Sequence, residues 1–261
     1  MIGLPSPALI GVIHLPALPG SACHRLSMDE IVDRALADAR ALGEAGFDAA
    51  IIENFGDVPF TASALPPASA AAMAVVADQV RRAGGLRIGI NALRNDAVAG
   101  LGIAAAVGAS FIRVNVHTGV YATDQGLIEG RAAATLRYRK QLGSRIAILA
   151  DVHVKHATPL SEPDISRAAK DTAYRGLADG LIVTGRATGE AVDVEELRRV
   201  REAVPDRRVF VGSGATASTV ASLLTMASGV IVGTGLKPGG DASQPIDATL
   251  ATAFARAAGR G

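Results

Sequence analysis

Eight times along this chain, a short run rich in β-branched residues is followed by a longer Ala- and Leu-rich stretch with Arg, Asp and Glu at helical spacing. The short runs are Leu9–Leu15, Ala49–Asn54, Arg87–Leu93, Phe111–His117, Ile146–Lys155, Gly180–Gly185, Val209–Gly214 and Gly229–Gly235. The clearest helical stretches are Asp29–Leu42, Pro66–Arg82, Leu127–Leu142, Asp164–Arg175, Val194–Ala203 and Ala217–Met226. A crossover helix between successive strands makes those strands parallel. Eight such units in 261 residues predict a closed (β/α)8 barrel of the TIM type, a single domain over residues 1–261. An open doubly wound sheet fits the same alternation. It would more naturally carry a Gly-rich dinucleotide fingerprint after the first strand, where this chain has Gly11-Val12-Ile13-His14.

Charge narrows the partner. The 26 Lys and Arg against 25 Asp and Glu leave a net charge of +1, and no basic stretch breaks the mixing of signs. No nucleic-acid or polybasic membrane partner is therefore expected, and a small-molecule substrate is. The mean hydropathy of +0.30 comes largely from dispersed Ala, and no stretch approaches the roughly 20 apolar residues of a membrane helix. One cysteine, Cys23, cannot form an internal disulfide, and the N-terminus lacks the features of a signal peptide, so a cytoplasmic location is expected. The Ala-rich helices could pack into a homo-oligomer, although no specific interface is readable.

In such a barrel the strand faces toward the helices must be apolar, so polar strand residues belong in the lumen or at the carboxyl ends. In the fourth run Ile112, Val114 and Val116 alternate with Arg113, Asn115 and His117. In the fifth, Ile148, Ala150, Val152 and Val154 alternate with Asp151, His153 and Lys155, and side chains change face with period two. Asn91 extends the polar wall to the third strand, Glu53 and Asn54 close the second, and His14 closes the first. Four of the five histidines, His14, His117, His153 and His156, fall at or just past strand ends, where such barrels keep their active sites. Glu53, Asp151, Lys155, His117 and His153 are the catalytic candidates. His14, Asn54, Asn91, Arg113 and Asn115 are the candidates for holding substrate.

The seventh strand ends in Gly212-Ser213-Gly214-Ala215-Thr216 and the eighth in Gly233-Thr234-Gly235-Leu236-Lys237. Glycines let backbone N–H groups approach an anion, Ser213 and Thr234 add hydroxyls, and a following helix N-terminus adds its dipole. These two loops are where barrel enzymes often hold a phosphate, so Gly212, Ser213, Gly214, Gly233, Thr234 and Gly235 predict a phosphate site. Lys237 is a weaker addition to that site, because a lone loop lysine is usually just solvated. The stretch from Thr118 to Gly130, with three glycines, is either a lid over the mouth or ordered packing.

Five motifs, in order, resemble the BtpA family, which includes the SgcQ-type proteins and is named for a role in photosystem I biogenesis. They are Gly11-Val12-Ile13-His14-Leu15-Pro16-Ala17-Leu18-Pro19-Gly20-Ser21, Glu53-Asn54-Phe55-Gly56-Asp57-Val58-Pro59-Phe60, Thr123-Asp124-Gln125-Gly126-Leu127-Ile128-Glu129-Gly130, Asp151-Val152-His153-Val154-Lys155-His156-Ala157 and Val232-Gly233-Thr234-Gly235-Leu236-Lys237. The resemblance implies a ribulose-phosphate-binding type of barrel and no particular reaction.

Three readings of function stay open. The first is an enzyme on a phosphorylated sugar or nucleotide-like compound, acting as a lyase, isomerase or glycosidic-bond-cleaving enzyme. Glu53 and Asp151 would serve as acid and base, His117 or His153 as shuttles, and Lys155 as an imine-forming amine or a fixed cation. The cation role is preferred, because neighbouring Asp151 would hold the amine protonated. The second is metal-assisted chemistry with a divalent ion on His14, Glu53, Asp151 and His153. The third is a non-catalytic assembly factor of the BtpA type using the barrel as a scaffold. It is opposed by the cost of burying charge in a lumen.

Overall fold

The computed structural model describes residues 2–62, 64–185 and 190–260. Eight parallel strands close a barrel: β1 (Ala8–His14), β2 (Ala49–Glu53), β3 (Arg87–Asn91), β4 (Phe111–Val114), β7 (Ala147–Val152), β9 (Gly180–Val183), β10 (Arg208–Val211) and β11 (Gly229–Val232). The ring closes where Ala8–Gly11 of β1 pair with Gly229–Val232 of β11. Around it run α1 (Met28–Glu44), α2 (Pro67–Ala83), α3 (Ala97–Val107), α4 (Ala132–Gln141), α5 (Ile165–Lys170), α6 (Val194–Ala203), α7 (Val220–Met226) and α8 (Ala248–Ala257). The expected single-domain (β/α)8 barrel is the observed fold.

Local signals set the helix ends. Ser27 caps α1 through a capping box with Glu30, and Gly108 ends α3 in the left-handed conformation at φ 73°. Helices and strands share an outer apolar core that includes Leu42, Met73, Val76, Ile112, Ile148 and Val230. A second cluster fills the lumen's lower half with Ile10, Ile51, Phe111, Leu149, Phe210 and Ile231. At Gly89 a Cβ would stand 2.2 Å from the Phe111 ring, so only glycine leaves room for that plug. The termini are tied to the opposite rim: Arg208 donates to Leu4 O at 2.8 Å, and Arg260 donates to Pro7 O at 3.0 Å and to Asp48 at 2.9 Å.

The structure corrects several boundaries. The fourth strand stops at Val114 and the fifth at Val152, so the expected alternation of faces does not continue to His117 or Lys155. Leu127–Glu129 are not the start of a helix. They lie in β6 (Gly126–Glu129), which forms an antiparallel hairpin with β5 (Val120–Thr123). A further short strand, β8 (Ala157–Pro159), pairs antiparallel with the other edge of β5. The Thr118–Gly130 segment is thus ordered packing beside the mouth. The helix expected at Ala217 begins at Val220, because Thr216–Thr219 form a hydrogen-bonded turn first. Among the described residues no helix is long and apolar enough to cross a membrane.

Candidate active site

The inward row at the top of the barrel crosses four neighbouring strands in register: His14 lies beside Glu53, Glu53 beside Asn91, and Asn91 beside Arg113. Because strands in a closed barrel are staggered, Arg113 has Leu149 as its register partner and reaches upward to Asp151. Its Nε and Nη2 donate to the two Asp151 oxygens at 2.9 and 3.0 Å, and Asn115 Nδ2 adds a third donor at 3.0 Å. The pair is sealed, with side chains 3% and 0% exposed. Asn91 Nδ2 donates to Glu53 Oε2 at 2.5 Å, and His14 Nε2 stands 3.7 Å from Glu53 Oε1.

Burial shapes the charges of this row. It pushes His14 down to about 4, with Lys237 and Lys155 adding to the effect and Glu53 only partly opposing it, so the imidazole is neutral near pH 7. Burial also works against the Glu53 charge, but His14, Arg113, Lys155 and the Asn91 donor outweigh it and hold the carboxyl below its ordinary range. Lys155 is lowered, first by burial and then by the Arg113 guanidinium, against the pull of Glu53 and Asp151. Asp151 therefore still favours the protonated amine, as expected, but burial and Arg113 outweigh its pull. Both Asp151 oxygens already accept from Arg113, whose guanidinium offsets part of that carboxylate's pull on the lysine.

The other side of the mouth is built from backbone. A cavity of about 230 Å3 is lined by Gly212–Thr216 and Val232–Gly235 on one side and by His14, Glu53, Arg113 and Lys155 on the other. Gly212 N–H is used on Val183 O, Thr216 N–H on Thr219 Oγ1, and Leu236 N–H on Gly233 O. Among the described residues, the N–H groups of Gly214, Ala215, Thr234 and Gly235 have no backbone acceptor. Gly214 sits at φ 71°, and a Cβ there would fall 1.9 Å from Glu190 O. The Ser213 hydroxyl accepts from Gly185 N–H at 3.1 Å, which ties this loop to the end of β9. The helix-dipole contribution expected for this site is reduced. The turn after β11 is only Thr234–Leu236, and α7 begins six residues past Gly214.

A second cavity, about 380 Å3, shares Glu53, Arg113 and Lys155 with the first. Its remaining wall includes Phe55, Arg94, Asn115, His156 and the hairpin tip Asp124-Gln125. Arg94, buried beneath this wall, donates to Lys155 O at 2.8 Å and so fixes the backbone that carries the amine. Arg94 and the hairpin tip escaped the sequence reading. The signal for the hairpin was there, since Val-Tyr-Ala-Thr and Leu-Ile-Glu flank an Asp-Gln-Gly turn.

Not every expected residue reaches the mouth. Asn54 is fully buried below it, where its amide accepts from Leu93 N–H at 2.7 Å and donates to Leu93 O at 3.2 Å and Asp57 at 3.0 Å; it shapes the loop that holds Arg94. His117 lies past the end of β4 and bonds Gly176 O at 2.8 Å, outside both cavities. His153 adopts φ 52°, bonds Glu162 O at 2.9 Å, and packs edge-on to Tyr121. Neither histidine can act as a shuttle from there. Lys237 is not solvated: it is 2% exposed, and its Nζ donates to Ala242 O at 2.8 Å. The residues proposed for a divalent ion do not converge either. Among the described residues no group of three or more His, Cys, Asp or Glu could hold a metal, because Asp151 is taken by Arg113 and His153 is turned away.

A model of the BtpA family matches residues 6–260. The Photosystem I biogenesis protein BtpA of Synechocystis sp. is 47% identical over 253 residues, covering 97% of this chain and 88% of that protein. An uncharacterized protein of Pyrococcus horikoshii is 46% identical over 248 residues, covering 95% of this chain and 94% of that one. Among solved structures, the N-(5′-phosphoribosyl)anthranilate isomerase of Pyrococcus furiosus superposes with a TM-score of 0.58 at 12% identity. That match covers 97% of this chain and 98% of the isomerase, and at such identity it speaks to the fold alone.

Proposed function

The chain belongs to the BtpA family, and from that footing we propose that it is an enzyme of lyase or isomerase type acting on a phosphorylated small molecule. One observation carries the reading: a single cavity is walled on one side by glycine-rich backbone and on the other by Glu53, Arg113 and Lys155. The phosphate would accept from the N–H groups of Gly214, Ala215, Thr234 and Gly235, placing the rest of the substrate over the side-chain wall. Glu53, held ionised and oriented by Asn91, is the proton acceptor. Lys155, with its affinity for a proton lowered, is the amine that adds to a substrate carbonyl or takes a proton beside it. Arg113, held in place by Asp151, lines the same cavity beside both.

Cleavage of a glycosidic bond is less well supported. It calls for two working carboxyl groups, and Asp151 is immobilised by three donors. The second reading, an assembly factor, draws on the biogenesis name of the Synechocystis relative. The two readings part on substitution. An enzyme loses function with Glu53→Gln or Lys155→Met, and a scaffold does not. A photosystem role does not extend naturally to a relative of equal similarity in Pyrococcus.

The first test is thermal unfolding against phosphorylated sugars and their dephosphorylated counterparts. A ligand at 100 times its Kd adds about 2.7 kcal/mol, which raises the midpoint of a domain this size by about 5 to 10 °C. A shift confined to phosphorylated compounds supports the anion site, and no shift from any of them overturns it. With a shifting compound in hand, borohydride reduction and intact-mass measurement separate an imine on Lys155 from simple proton transfer.

A further inference from the structure

A third cavity lies beside His14, between the middle of α1, the loops after β1 and β2, and the loop after β11. At about 690 Å3 it is larger than either of the two already described. It adjoins both, sharing His14 with the glycine-lined cavity and Phe55 with the cavity under the hairpin tip. Ligand sites typically enclose about 300 to 1,000 Å3, and the glycine-lined cavity at about 230 Å3 falls short of that alone. A phosphate with a short carbon chain would fill the first two cavities and leave this one without a function.

Its lining has a definite chemistry. Leu15, Ala35 and Val58 are apolar, and the Phe55 ring lies 4.6 Å from the His14 ring, tilted by 33°. His14 Nδ1 is buried with no hydrogen-bond partner, on a side chain only 7% exposed. Nε2 stands 3.7 Å from Glu53, and the ring also feels the backbone of Ala242 on this cavity's wall, so Nδ1 offers a donor or an acceptor according to the tautomer. Asp38 adds a buried carboxylate, one oxygen of which accepts from Ile246 N–H at 2.8 Å. A buried polar atom left unpaired carries a free-energy cost that a ligand partner would remove. Arg34 also lines the cavity, so an aromatic face, apolar walls, the Asp38 acceptor, the Arg34 donor and the unpaired His14 nitrogen suit a flat ring bearing both N–H groups and ring acceptors.

We propose that this cavity is the second half of the substrate site and takes a planar nitrogen heterocycle with N–H donors, joined covalently to the phosphorylated part of the same molecule. The inference rests on the phosphate reading above, and it fixes the substrate class as a heterocycle-bearing phosphate compound rather than a bare phosphosugar. His14 then divides the two halves, touching phosphate-side backbone at Gly233, where a Cβ would stand 2.8 Å from the imidazole, and the heterocycle through Nδ1.

Calorimetric titration of the full chain with adenosine 5′-monophosphate, cytidine 5′-monophosphate, adenosine and ribose 5-phosphate tests this. At least one nucleotide should bind tenfold or more tighter than ribose 5-phosphate. Ala17→Phe, which fills the cavity from a half-buried position in its wall, should erase that difference and leave ribose 5-phosphate binding unchanged. Should that variant fold poorly, Ser243→Trp on the exposed rim gives the same readout. Equal binding of nucleotides and ribose 5-phosphate overturns the proposal, as does a nucleotide preference that survives both variants. Adenosine binding that Ala17→Phe abolishes, with no gain from the phosphate, would keep the heterocycle subsite and retire the phosphate site instead.

Discussion

The two sides of the barrel mouth are made of different material. From β1 through β4 to β7 the wall acts through side chains: His14, Glu53, Asn91, Arg113 and Asp151, locked by hydrogen bonds and one sealed ion pair. From β9 to β11 it acts through main chain, and among the described residues the N–H groups of Gly214, Ala215, Thr234 and Gly235 have no backbone acceptor. The first side is rigid because its charges satisfy each other. The second is rigid because its backbone has no room to be anything else. A reaction that anchors one end of a molecule and moves protons at the other needs both, since anchoring calls for fixed dipoles and proton transfer for titratable groups.

Five substitutions, the first also paired with a second-site change, probe that contrast in order of expected size. Arg113→Met leaves Asp151 charged and buried without its partner and should cost about 3–5 kcal/mol in denaturant unfolding. Adding Asp151→Leu should restore much of that loss; a single-variant cost below about 1 kcal/mol would mean the side-chain wall is not held by its charges. His14 comes second. Its folded-state pKa of about 4 lies below the ordinary 6.5, so the unfolded chain takes up the proton first as pH falls. Stability from this group is complete above pH 6.5 and is lost on the way down to about pH 4, a total of about 3 kcal/mol. Comparing acid unfolding of the parent with His14→Gln isolates it, and identical pH profiles would refute it.

The backbone side gives smaller numbers. Gly214→Ala places a side chain at φ 71° against Glu190 O, and strain of about 1–3 kcal/mol should accompany loss of the phosphate-dependent shift. Gly235→Ala, whose Cβ would sit 3.1 Å from Ala215 O, should weaken that shift less. If the two variants behave alike, the anion site does not depend on the shape of the Gly214 loop. Smallest is Ser213→Ala, which removes the acceptor for Gly185 N–H and should cost about 1 kcal/mol in unfolding experiments.

The same contrast explains what could be read in the sequence. The eight barrel strands follow from runs of apolar residues, and the inward row His14, Glu53, Asn91, Arg113, Asp151 follows from strict alternation of faces. Alternation fails where strands stop. His117 lies beyond Val114, and His153 turns through a positive φ, so both depart from the face that parity assigns them. Residues outside strands have no periodicity to reveal them. Arg94 is set by the loop that Asn54 clamps, and the burial of Lys237 depends on the loop after β11 folding over it. The β5–β6 hairpin was hidden because only Gly130 and Arg131 separate Leu-Ile-Glu from an Ala-rich helix.

The closing seam between β1 and β11 joins residue 8 to residue 229, and this governs the order in which the site can come into being. The side-chain row from His14 to Arg113 is encoded in the first half of the chain, whereas both glycine loops follow residue 211. A chain emerging from the ribosome therefore carries its charged wall long before it has the strand that seals the ring. Until then both outer strands of the growing sheet are open edges, which invite pairing with other chains. Contacts so distant in sequence are slow to form. Ring closure and the proposed anion site consequently depend on the same final segment, and loss of β11 would open the barrel and remove half of that proposed site in one step.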